Sequence, residues 1–395
     1  MAGLEISLEP SASLPEDCEQ AVLVGRVWRP GNPAGPSIAV LRGGDLRDVS
    51  HLAPTMSELL DHDDPVAALW AHEGERLGPV EDVLENSVAE RRHPGRPFLL
   101  APVDLQALKA CGVTFVKSTL ERVIEEHTKG DPAGAAAARA MIDREIGGDL
   151  VSVRPGSDEA ERLKQALIGR GLWSQYLEVG IGPYAEVFTK AQPMSAVGTG
   201  ANIGLHPDSG WNNPEPELVL LVSAAGRTVG ATLGNDVNLR DFEGRSALLL
   251  GRAKDNNASC AIGPFIRLFD EHFGIDDARS LEISLTVEGE DGFHMEGRNS
   301  LREISRDPLD LVAQTINRNH QYPDGLALFT GTMFAPVEDR AAPGAGFTHR
   351  EGDIVTIAAP QLGALVNRVT TSDKAPPWSF GAGALMRNLA ARKLI

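Results

Sequence analysis

Short apolar runs with the periodicity of β-strands alternate with polar turns along most of the chain. Residues 281–287 alternate apolar and polar positions, whereas residues 218–221 are apolar throughout, as in a strand that is buried on both faces. The spacing typical of longer helices is confined to residues 132–146, 159–168 and 308–316. This pattern predicts a β-rich α+β fold with few long helices.

The N-terminal part of the chain has the pattern of a small separate unit. Two strand-like runs and two short helical runs come first, and an Arg-, Pro- and Gly-rich stretch at residues 91–97 has the composition of a linker. We therefore predict a small α+β domain at residues 1–96, which carries no candidate chemistry. A catalytic domain would follow at residues 97–395, with a helical insertion near residues 118–170.

Two carboxylates stand at the entrance of the fully apolar run. Pro214 and Pro216 exclude a helix interior but suit the start of a strand, where Glu215 and Glu217 would point to the same side. Like charges held that close repel each other and raise each other's pKa unless a cation lies between them. A hard divalent ion would answer this need, although two solvated acids at a strand end would give the same pattern.

A third acid strengthens the metal hypothesis. Residues 228–234 have the pattern of a second strand, and Asp236 follows it, where an antiparallel partner could bring it beside the first pair. Lys254 comes next, in a segment too polar for an ordinary core. Three carboxylates without histidine or cysteine indicate oxygen ligands for Mg²⁺, Mn²⁺ or Ca²⁺ rather than a zinc site.

Composition narrows the range of partners and locations. The net charge of −18 over 395 residues argues against binding to nucleic acid or anionic membranes, both of which need basic surface. Three scattered cysteines do not form a disulfide framework, so we expect a reducing compartment. The acidic N-terminus lacks the apolar region of a signal peptide, and no apolar run is long enough to span a membrane. We expect a cytoplasmic location.

Five segments follow one another in a recognisable order. They are Pro-Glu-Pro-Glu-Leu at 214–218, Gly-Asn-Asp-Val-Asn-Leu-Arg-Asp at 234–241, Lys254 ahead of 260–264, Phe-Thr-Gly-Thr at 329–332 and Gly-Asp-Ile-Val at 352–355. Together they resemble the fumarylacetoacetate hydrolase family, over residues 97–395. Within that family, residues 172–178 and 241–246 are most similar to the 2-keto-3-deoxy-pentonate dehydratases, especially those acting on the D-xylonate compound. The resemblance implies a mixed β-sandwich roll with a metal at its open end, and a homodimer or homotetramer.

The resemblance also implies roles for residues outside the three acids. Ser118 stands where the family's hydrolases have a histidine that activates water together with a glutamate, and Glu121 occupies the place of that glutamate. Without the family, Ser118 and Glu121 form an ordinary capping box at a helix start. Lys190 matches a lysine that points toward the substrate, and Thr332 a residue that could hold its carboxylate. The plain alternatives are a surface lysine paired with Glu186 and a strand-to-loop turn.

These residues together predict a metal-dependent lyase. Glu215, Glu217 and Asp236 would hold Mg²⁺, which a 2-keto acid chelates, and Ser118, Lys190 and Thr332 would bind the substrate. Lys254 is the candidate base in its neutral form, or an enolate-stabilising cation if it stays charged, and Glu186 and Glu121 compete for the second acid–base role. The product would be 2-oxoglutarate semialdehyde, formed in oxidative pentose catabolism. The rivals are an acylpyruvate-type C–C hydrolase, a β-keto acid decarboxylase, and a non-catalytic protein that binds a metal or a sugar acid.

Overall fold

A computed structural model describes residues 4–129, 131, 134–142, 144, 153–336, 338–340 and 346–395. Its strands are β1 (Leu23–Arg29), β2 (Gly35–Arg42), β3 (Asp45–Asp48), β4 (Glu75–Pro79), β5 (Phe98–Leu100), β6 (Ala107–Gly112), β7 (Glu186–Ala191), β8 (Asn202–Leu205), β9 (Asn212–Asn213), β10 (Pro216–Val222), β11 (Thr228–Asp236), β12 (Asn238–Leu239), β13 (Cys260–Leu268), β14 (Glu282–Glu288), β15 (His294–Ser300), β16 (Leu326–Phe329), β17 (Ile354–Ala359) and β18 (Gly363–Thr371).

The helices are shorter and lie mostly at the ends and on the faces of the sheets. They are α1 (Pro10–Ser13), α2 (Met56–Asp61), α3 (Pro65–Ala71), α4 (Val80–Ser87), α5 (Val116–Thr128), α6 (Ala135–Ile142), α7 (Asp158–Gly169), α8 (Gln175–Ile181), α9 (Arg240–Glu243), α10 (Leu250–Lys254), α11 (Ile275–Ala278), α12 (Pro308–Thr315) and α13 (Ala382–Ala391). Within the described ranges, 3₁₀ turns occur at Ala89–Arg91, Ala247–Leu249 and Leu301–Glu303. None of the described helices is both long and apolar enough to cross a membrane.

Two large sheets and one short ribbon organise the described strands. The larger sheet runs β4-β3-β2-β1-β13-β11-β10-β16-β6-β7, with β5 also paired to β1, and the smaller runs β15-β14-β17-β18-β8. Most pairs are antiparallel, but β16–β6 and β18–β8 are parallel, so both sheets are mixed. The expectation of a β-rich α+β fold is confirmed.

The central strand β10 explains the fully apolar run. Leu218 and Leu220 pack toward the smaller sheet, against residues such as Ile283, while Val219 and Leu221 belong to a second core that includes Leu59 of α2. Because successive side chains of a strand point to opposite faces, a strand covered on both faces must be apolar at every position. This burial holds the ends of β10 and β11, where the acids lie, in a fixed position.

The N-terminal strands continue the larger sheet. Leu23 and Val24 of β1 pair with Arg267 and Ile266 of β13, so residues 23–79 and the central strands share one sheet. The boundary at residue 96 stays a prediction. Helices α5 to α8 form a cluster of their own around Trp211, over the region where a helical insertion was expected. Of the helix predicted at residues 132–146, α6 covers the central part, and residues 132–133, 143 and 145–146 lie outside the described residues.

The predicted capping box at Ser118 and Glu121 is wrong by one turn. Helix α5 begins at Val116 with Phe115 as its N-cap, so Ser118 is the third helical residue rather than the cap. Its hydroxyl accepts a hydrogen bond from the Phe115 N–H at 3.3 Å and donates one to the Phe115 carbonyl at 2.9 Å. The apolar Phe115 caps the helix because its side chain is buried in the core between the sheets. Glu121 is thereby free to form contacts elsewhere.

Candidate metal centre

The predicted acids meet where β10 begins and β11 ends. Glu215 immediately precedes β10, Glu217 is its second residue and Asp236 is the last residue of β11. The strands pair antiparallel, with Glu217 opposite Gly234, and the Asp236 N–H donates to the Glu215 carbonyl at 3.1 Å. One carboxylate oxygen from each acid lies within 4.8 Å of the others, and all three side chains are buried. The structure thus brings together the three residues that the sequence selected as ligands.

Electrostatics at the three acids favour an added cation. Burial raises the pKa of Glu217 well above its ordinary value, and the neighbouring Asp236 and Glu215 raise it further. The Gly331 N–H donates to Glu217 Oε2 at 2.6 Å and opposes this shift. Gly331 has a φ of 93°, a backbone conformation that glycine adopts without strain. An all-carboxylate donor set with uncompensated charge fits a hard divalent ion.

Lys254 lines the cavity, and its neighbours favour one of the two protonation states that the sequence left open. Its Nζ is 2.6 Å from Glu215 Oε2 and 3.0 Å from Asp236 Oδ2. Burial acts to lower the pKa of Lys254, yet Asp236, Glu215 and Glu243 outweigh it and raise that pKa above its ordinary value. Without a bound ion, this arrangement of charges therefore disfavours a neutral Lys254, and the role of the lysine stays a prediction. The alternative of a charged, anion-stabilising lysine agrees with the geometry.

Lys190 lies behind the acids rather than toward the cavity. It is fully buried, and its Nζ contacts Asp236 Oδ1 at 2.9 Å, the Lys254 carbonyl at 2.6 Å and the Val237 carbonyl at 3.2 Å. The β6–β7 register shifts at this point, because Thr189 and Ala191 pair with successive residues of β6 and leave Lys190 as a bulge. All three of its donors are engaged, so the predicted substrate contact does not occur in this geometry. Lys190 instead fixes Asp236.

A buried network of arginines and glutamates covers the three predicted metal ligands. This network was not predicted from the sequence. Arg122 of α5 contacts Glu215 at 2.8 Å, Glu125 at 2.7 Å and Glu243 at 3.0 Å. Burial alone would lower the pKa of Arg122, but these three carboxylates raise it well above its ordinary value. Burial also raises the pKa of Glu243 to about 7 against the opposing charge of Arg122. The network links helix α5 to a predicted metal ligand.

Glu121 belongs to this network and is not free for acid–base work. Arg139 donates to both of its oxygens, at 2.8 and 2.6 Å, and Arg240 Nη2 lies 3.2 Å from Oε2. Arg240 also contacts Glu125 at 2.6 Å and stacks on the Trp211 ring at 4.2 Å. Ser118 lines the cavity, but its hydroxyl is already bonded to the Phe115 backbone. Neither residue presents an unengaged group to the cavity.

Thr332 lines the cavity, and Glu186 lies next to its wall. The carboxylate of Glu186 packs against Gly112, a cavity-lining residue, so closely that a Cβ at Gly112 would collide with it. Burial raises the pKa of Glu186, with Arg122 and Lys254 opposing the shift. Thr332 lines the cavity and its hydroxyl accepts from the Phe334 N–H at 3.1 Å.

The residues that sequence reasoning missed differ in how they could have been found. Asn213 and Asn238 line the cavity, and each is two residues from a predicted ligand, the spacing that paired Glu215 with Glu217. The same two-residue spacing could have identified both asparagines as candidate site residues. Arg122 gave no such signal, because a helix residue between two acids has the pattern of an ordinary surface position.

About half of the chain is similar in sequence to known proteins. Residues 176–370 match the family described as fumarylacetoacetate (FAA) hydrolase C-terminal. A protein of Haloferax volcanii named probable 2-keto-3-deoxyxylonate dehydratase is 34% identical over 196 residues, which cover 50% of this chain and 64% of that protein. The 2-dehydro-3-deoxy-D-arabinonate dehydratase of Saccharolobus solfataricus is 34% identical over 184 residues, 47% of this chain and 58% of that protein. The chain thus spans less than two thirds of each relative.

Solved structures share the fold over most of the chain. A 2-keto-3-deoxy-D-arabinonate dehydratase complexed with magnesium and 2,5-dioxopentanoate matches with a TM-score of 0.60 at 21% identity, covering 88% of this chain and 99% of that one. A fumarylacetoacetate hydrolase from Exiguobacterium antarcticum matches with a TM-score of 0.51 at 17% identity, covering 89% and 100%. At identities this low, the structural match shows a shared fold.

Proposed function

Residues 176–370 form a fumarylacetoacetate hydrolase C-terminal domain, and from this premise we propose that the protein is a magnesium-dependent dehydratase. Its substrate would be a 2-keto-3-deoxy-pentonate, and its product 2-oxoglutarate semialdehyde. The observation that carries the proposal is the buried set of Glu215, Glu217 and Asp236 with the Lys254 ammonium beside it. The names of both sequence relatives support the same reaction class.

The three carboxylates would hold Mg²⁺, with Mn²⁺ or Ca²⁺ as alternatives. When bound, a divalent ion supplies Lewis acidity that polarises the keto oxygen of a 2-keto acid and acidifies the protons at carbon 3. Lys190 keeps Asp236 in place from behind. Asp236 stays ionised for this task, because Lys190 and Lys254 lower its pKa against the effect of burial.

The charges around the acids suit an anionic substrate once a divalent ion is present. If every group is ionised and Glu186 is left aside, six carboxylates and five cations meet in the cavity and the network above it, which gives one excess negative charge. A divalent ion would convert this to one excess positive charge, although the whole chain carries −18. The carboxylates are Glu121, Glu125, Glu215, Glu217, Asp236 and Glu243, and the cations are Arg122, Arg139, Lys190, Arg240 and Lys254.

The reaction balances as the loss of one water. Carbon 3 loses a proton and carbon 4 loses its hydroxyl group, which forms a double bond between them. The double bond then moves to carbons 4 and 5 as carbon 5 loses a proton and carbon 3 regains one. Protonation of the resulting enol at carbon 4, with loss of the proton from its carbon 5 hydroxyl, gives the aldehyde. The only net change is the release of water.

Glu186 is the group we assign to proton transfer in these steps. Burial raises its pKa above the ordinary value, as suits a proton-transfer group, and no described residue forms an ion pair with it. Both oxygens of Glu121 are bound by arginines, so we do not assign proton transfer to it. Lys254 in its charged form would stabilise negative charge that develops on the substrate. Thr332, on the cavity wall, is our candidate for contact with the substrate carboxylate.

The rival chemistries of the family need an activated water. Ser118 occupies the place of the family's histidine, and its hydroxyl is bound to backbone, so we do not expect C–C hydrolysis or decarboxylation. Incubating one purified sample with a 2-keto-3-deoxy-pentonate and with an acylpyruvate separates them. Semialdehyde from the first supports dehydration, whereas pyruvate and a carboxylic acid from the second would contradict it. Loss of turnover on chelation, with recovery on Mg²⁺, would also exclude a merely binding protein.

We further propose a homodimer or homotetramer in the cytoplasm. Leu248, directly ahead of α10, is 95% exposed, which is unusual for a large apolar side chain and suits a covered surface. The described cysteines are free thiols, in agreement with a reducing compartment. Light scattering of the purified protein would give the mass, and a monomer at micromolar concentration would contradict the oligomer.

A further inference from the structure

Two asparagines beside the predicted metal ligands have polar atoms without partners. Asn213 and Asn238 lie directly opposite each other in the ribbon formed by β9 and β12, and both line the cavity while being 2% and 1% exposed. Among the described residues, nothing bonds to Asn213 Oδ1 or to either amide atom of Asn238. Buried polar atoms without partners cost free energy, so a ligand in the cavity is expected to supply them.

The orientation of Asn213 limits what that ligand can be. Its Nδ2 donates to the Pro214 carbonyl at 2.9 Å. A carbonyl can only accept, so the amide nitrogen must face Pro214 and Oδ1 must be the free atom. Oδ1 itself only accepts, so its partner is either a cation or a group that carries a hydrogen, and the cation is already assigned to the three carboxylates. A carboxylate, a phosphate or a keto oxygen carries no hydrogen. Asn238 offers a donor and an acceptor, and the two residues together are complementary to a hydroxyl group.

The position of the asparagines relative to the acids is set by the strands. Asn213 precedes Glu215 by two residues and Asn238 follows Asp236 by two. Each pair spans a short break between two strands, because Asn213 ends β9 before β10 begins and Asn238 opens β12 after β11 ends. The asparagines lie one step along the chain beyond the carboxylates, and they line the same cavity. A five-carbon keto acid with its keto end at the carboxylates would direct its far end there.

The geometry points to Asn213 and Asn238 as the subsite that binds the terminal hydroxyl, on carbon 5, and so selects hydroxylated keto acids. This inference rests on the proposed function. The hydroxyl on carbon 4 leaves during the reaction and must lie near Glu186 and Lys254 instead. The carbon 5 hydroxyl is retained until the final steps, so binding it positions the chain without opposing the loss of water.

Two keto acids that cannot dehydrate test this inference by equilibrium binding. Both 2-oxopentanoate and 5-hydroxy-2-oxopentanoate lack the carbon 4 hydroxyl and differ only in the terminal hydroxyl. Calorimetry with the Mg²⁺-loaded full chain should show that the wild type prefers the hydroxylated acid. In Asn238→Ala that preference should fall by about tenfold, the effect of one lost hydrogen bond in a dry site. Affinity for 2-oxopentanoate should stay within about twofold.

Asn212 is the matched control, because it is the buried neighbour of Asn213 with a purely structural set of bonds. Its Nδ2 is 3.3 Å from Ser209 Oγ, and its Oδ1 accepts from the His349 N–H at 3.1 Å. Asn212→Ala should lower the melting temperature and keep the preference for the hydroxylated acid. Asn238→Ala should lose the preference and keep the melting temperature, because it removes only atoms that have no partner.

Each outcome decides between the inference and the proposed function. If the wild type binds both acids equally, or if Asn238→Ala retains the preference, the hydroxyl subsite is wrong while a keto-acid site remains. If the wild type binds neither acid in the presence of Mg²⁺, the proposed function fails and the subsite with it. Loss of both affinities together in Asn238→Ala would also contradict the inference, because it would mean a structural role.

Discussion

Two buried groups of charges in this protein differ in how completely they are compensated. Asp353 is bound by Arg340, whose Nη2 lies 2.7 Å from Asp353 Oδ1, and by the Arg350 N–H at 2.8 Å. Burial acts to raise the pKa of Asp353, but Arg340 and His349 lower it to about 2. At the ends of β10 and β11, by contrast, the pKa of Glu217 is raised. Balanced charge indicates a structural ion pair, and a deficit of positive charge indicates a site that awaits a cation.

The largest effect should come from removing a carboxylate of the unbalanced group. Glu217→Gln keeps the shape of the side chain but removes one predicted ligand, and we expect turnover of a 2-keto-3-deoxy-pentonate to fall by roughly a thousandfold or more. The melting temperature of the metal-free protein should stay the same or rise, because repulsion with Glu215 and Asp236 is relieved. Steady-state kinetics and thermal melting check both parts. A Glu217→Gln variant with full turnover would contradict the conclusion that the unbalanced group holds the metal.

The balanced group should respond in the opposite way. Asp353→Ala leaves Arg340 buried without its main partner, and removing one member of a buried pair costs about 3–5 kcal/mol of stability. Chemical denaturation followed by fluorescence measures this loss. Turnover per folded molecule should change little, since neither residue lines the cavity. Equal destabilisation by Glu217→Gln would remove the distinction between the groups.

A smaller effect separates the two candidate acids. Glu186→Gln should reduce kcat by about a hundredfold, the usual contribution of a proton-transfer group. Glu121→Gln should reduce stability more than kcat, because Arg139 and Arg240 lose charge compensation. Comparing kcat with the free energy of unfolding in both variants tests this assignment. The reverse result, with kcat lost only in Glu121→Gln, would return Glu121 to the acid–base role.

The smallest effect concerns pH. A carboxyl whose pKa is raised on folding stabilises the protein below its unfolded pKa and loses that stabilisation as pH rises. Metal-free protein should therefore lose stability above about pH 4.5, and the Glu243 pKa of about 7 sets one end of this window. Asp353 acts oppositely and loses its stabilisation only as pH falls toward 2. Melting temperatures from pH 4.5 to 7, with and without Mg²⁺, measure this loss of stability in the metal-free protein. Added Mg²⁺ should make the melting temperature depend less on pH.

The site shows which features a sequence can predict. The periodicity of residues 218–221 and the spacing of Glu215, Glu217 and Asp236 depend only on local strand geometry, and both were predicted from the chain. Lys190 was misplaced because a β-bulge changes its direction, and no residue pattern marked that bulge. Arg122 was missed because it reaches Glu215 from a helix 93 positions earlier in the chain. Contacts between distant segments set the pKa values, so the charge of Lys254 could not be predicted either.

Binding of Mg²⁺ at equilibrium tests the central claim most directly. Calorimetry of the chelator-treated chain should give one Mg²⁺ per wild-type chain and no measurable heat of binding in Glu217→Gln, while Asp353→Asn, which alters the balanced group, keeps the site. Equal Mg²⁺ binding by the wild type and Glu217→Gln would contradict the account, because it would place the ion away from the three acids of β10 and β11.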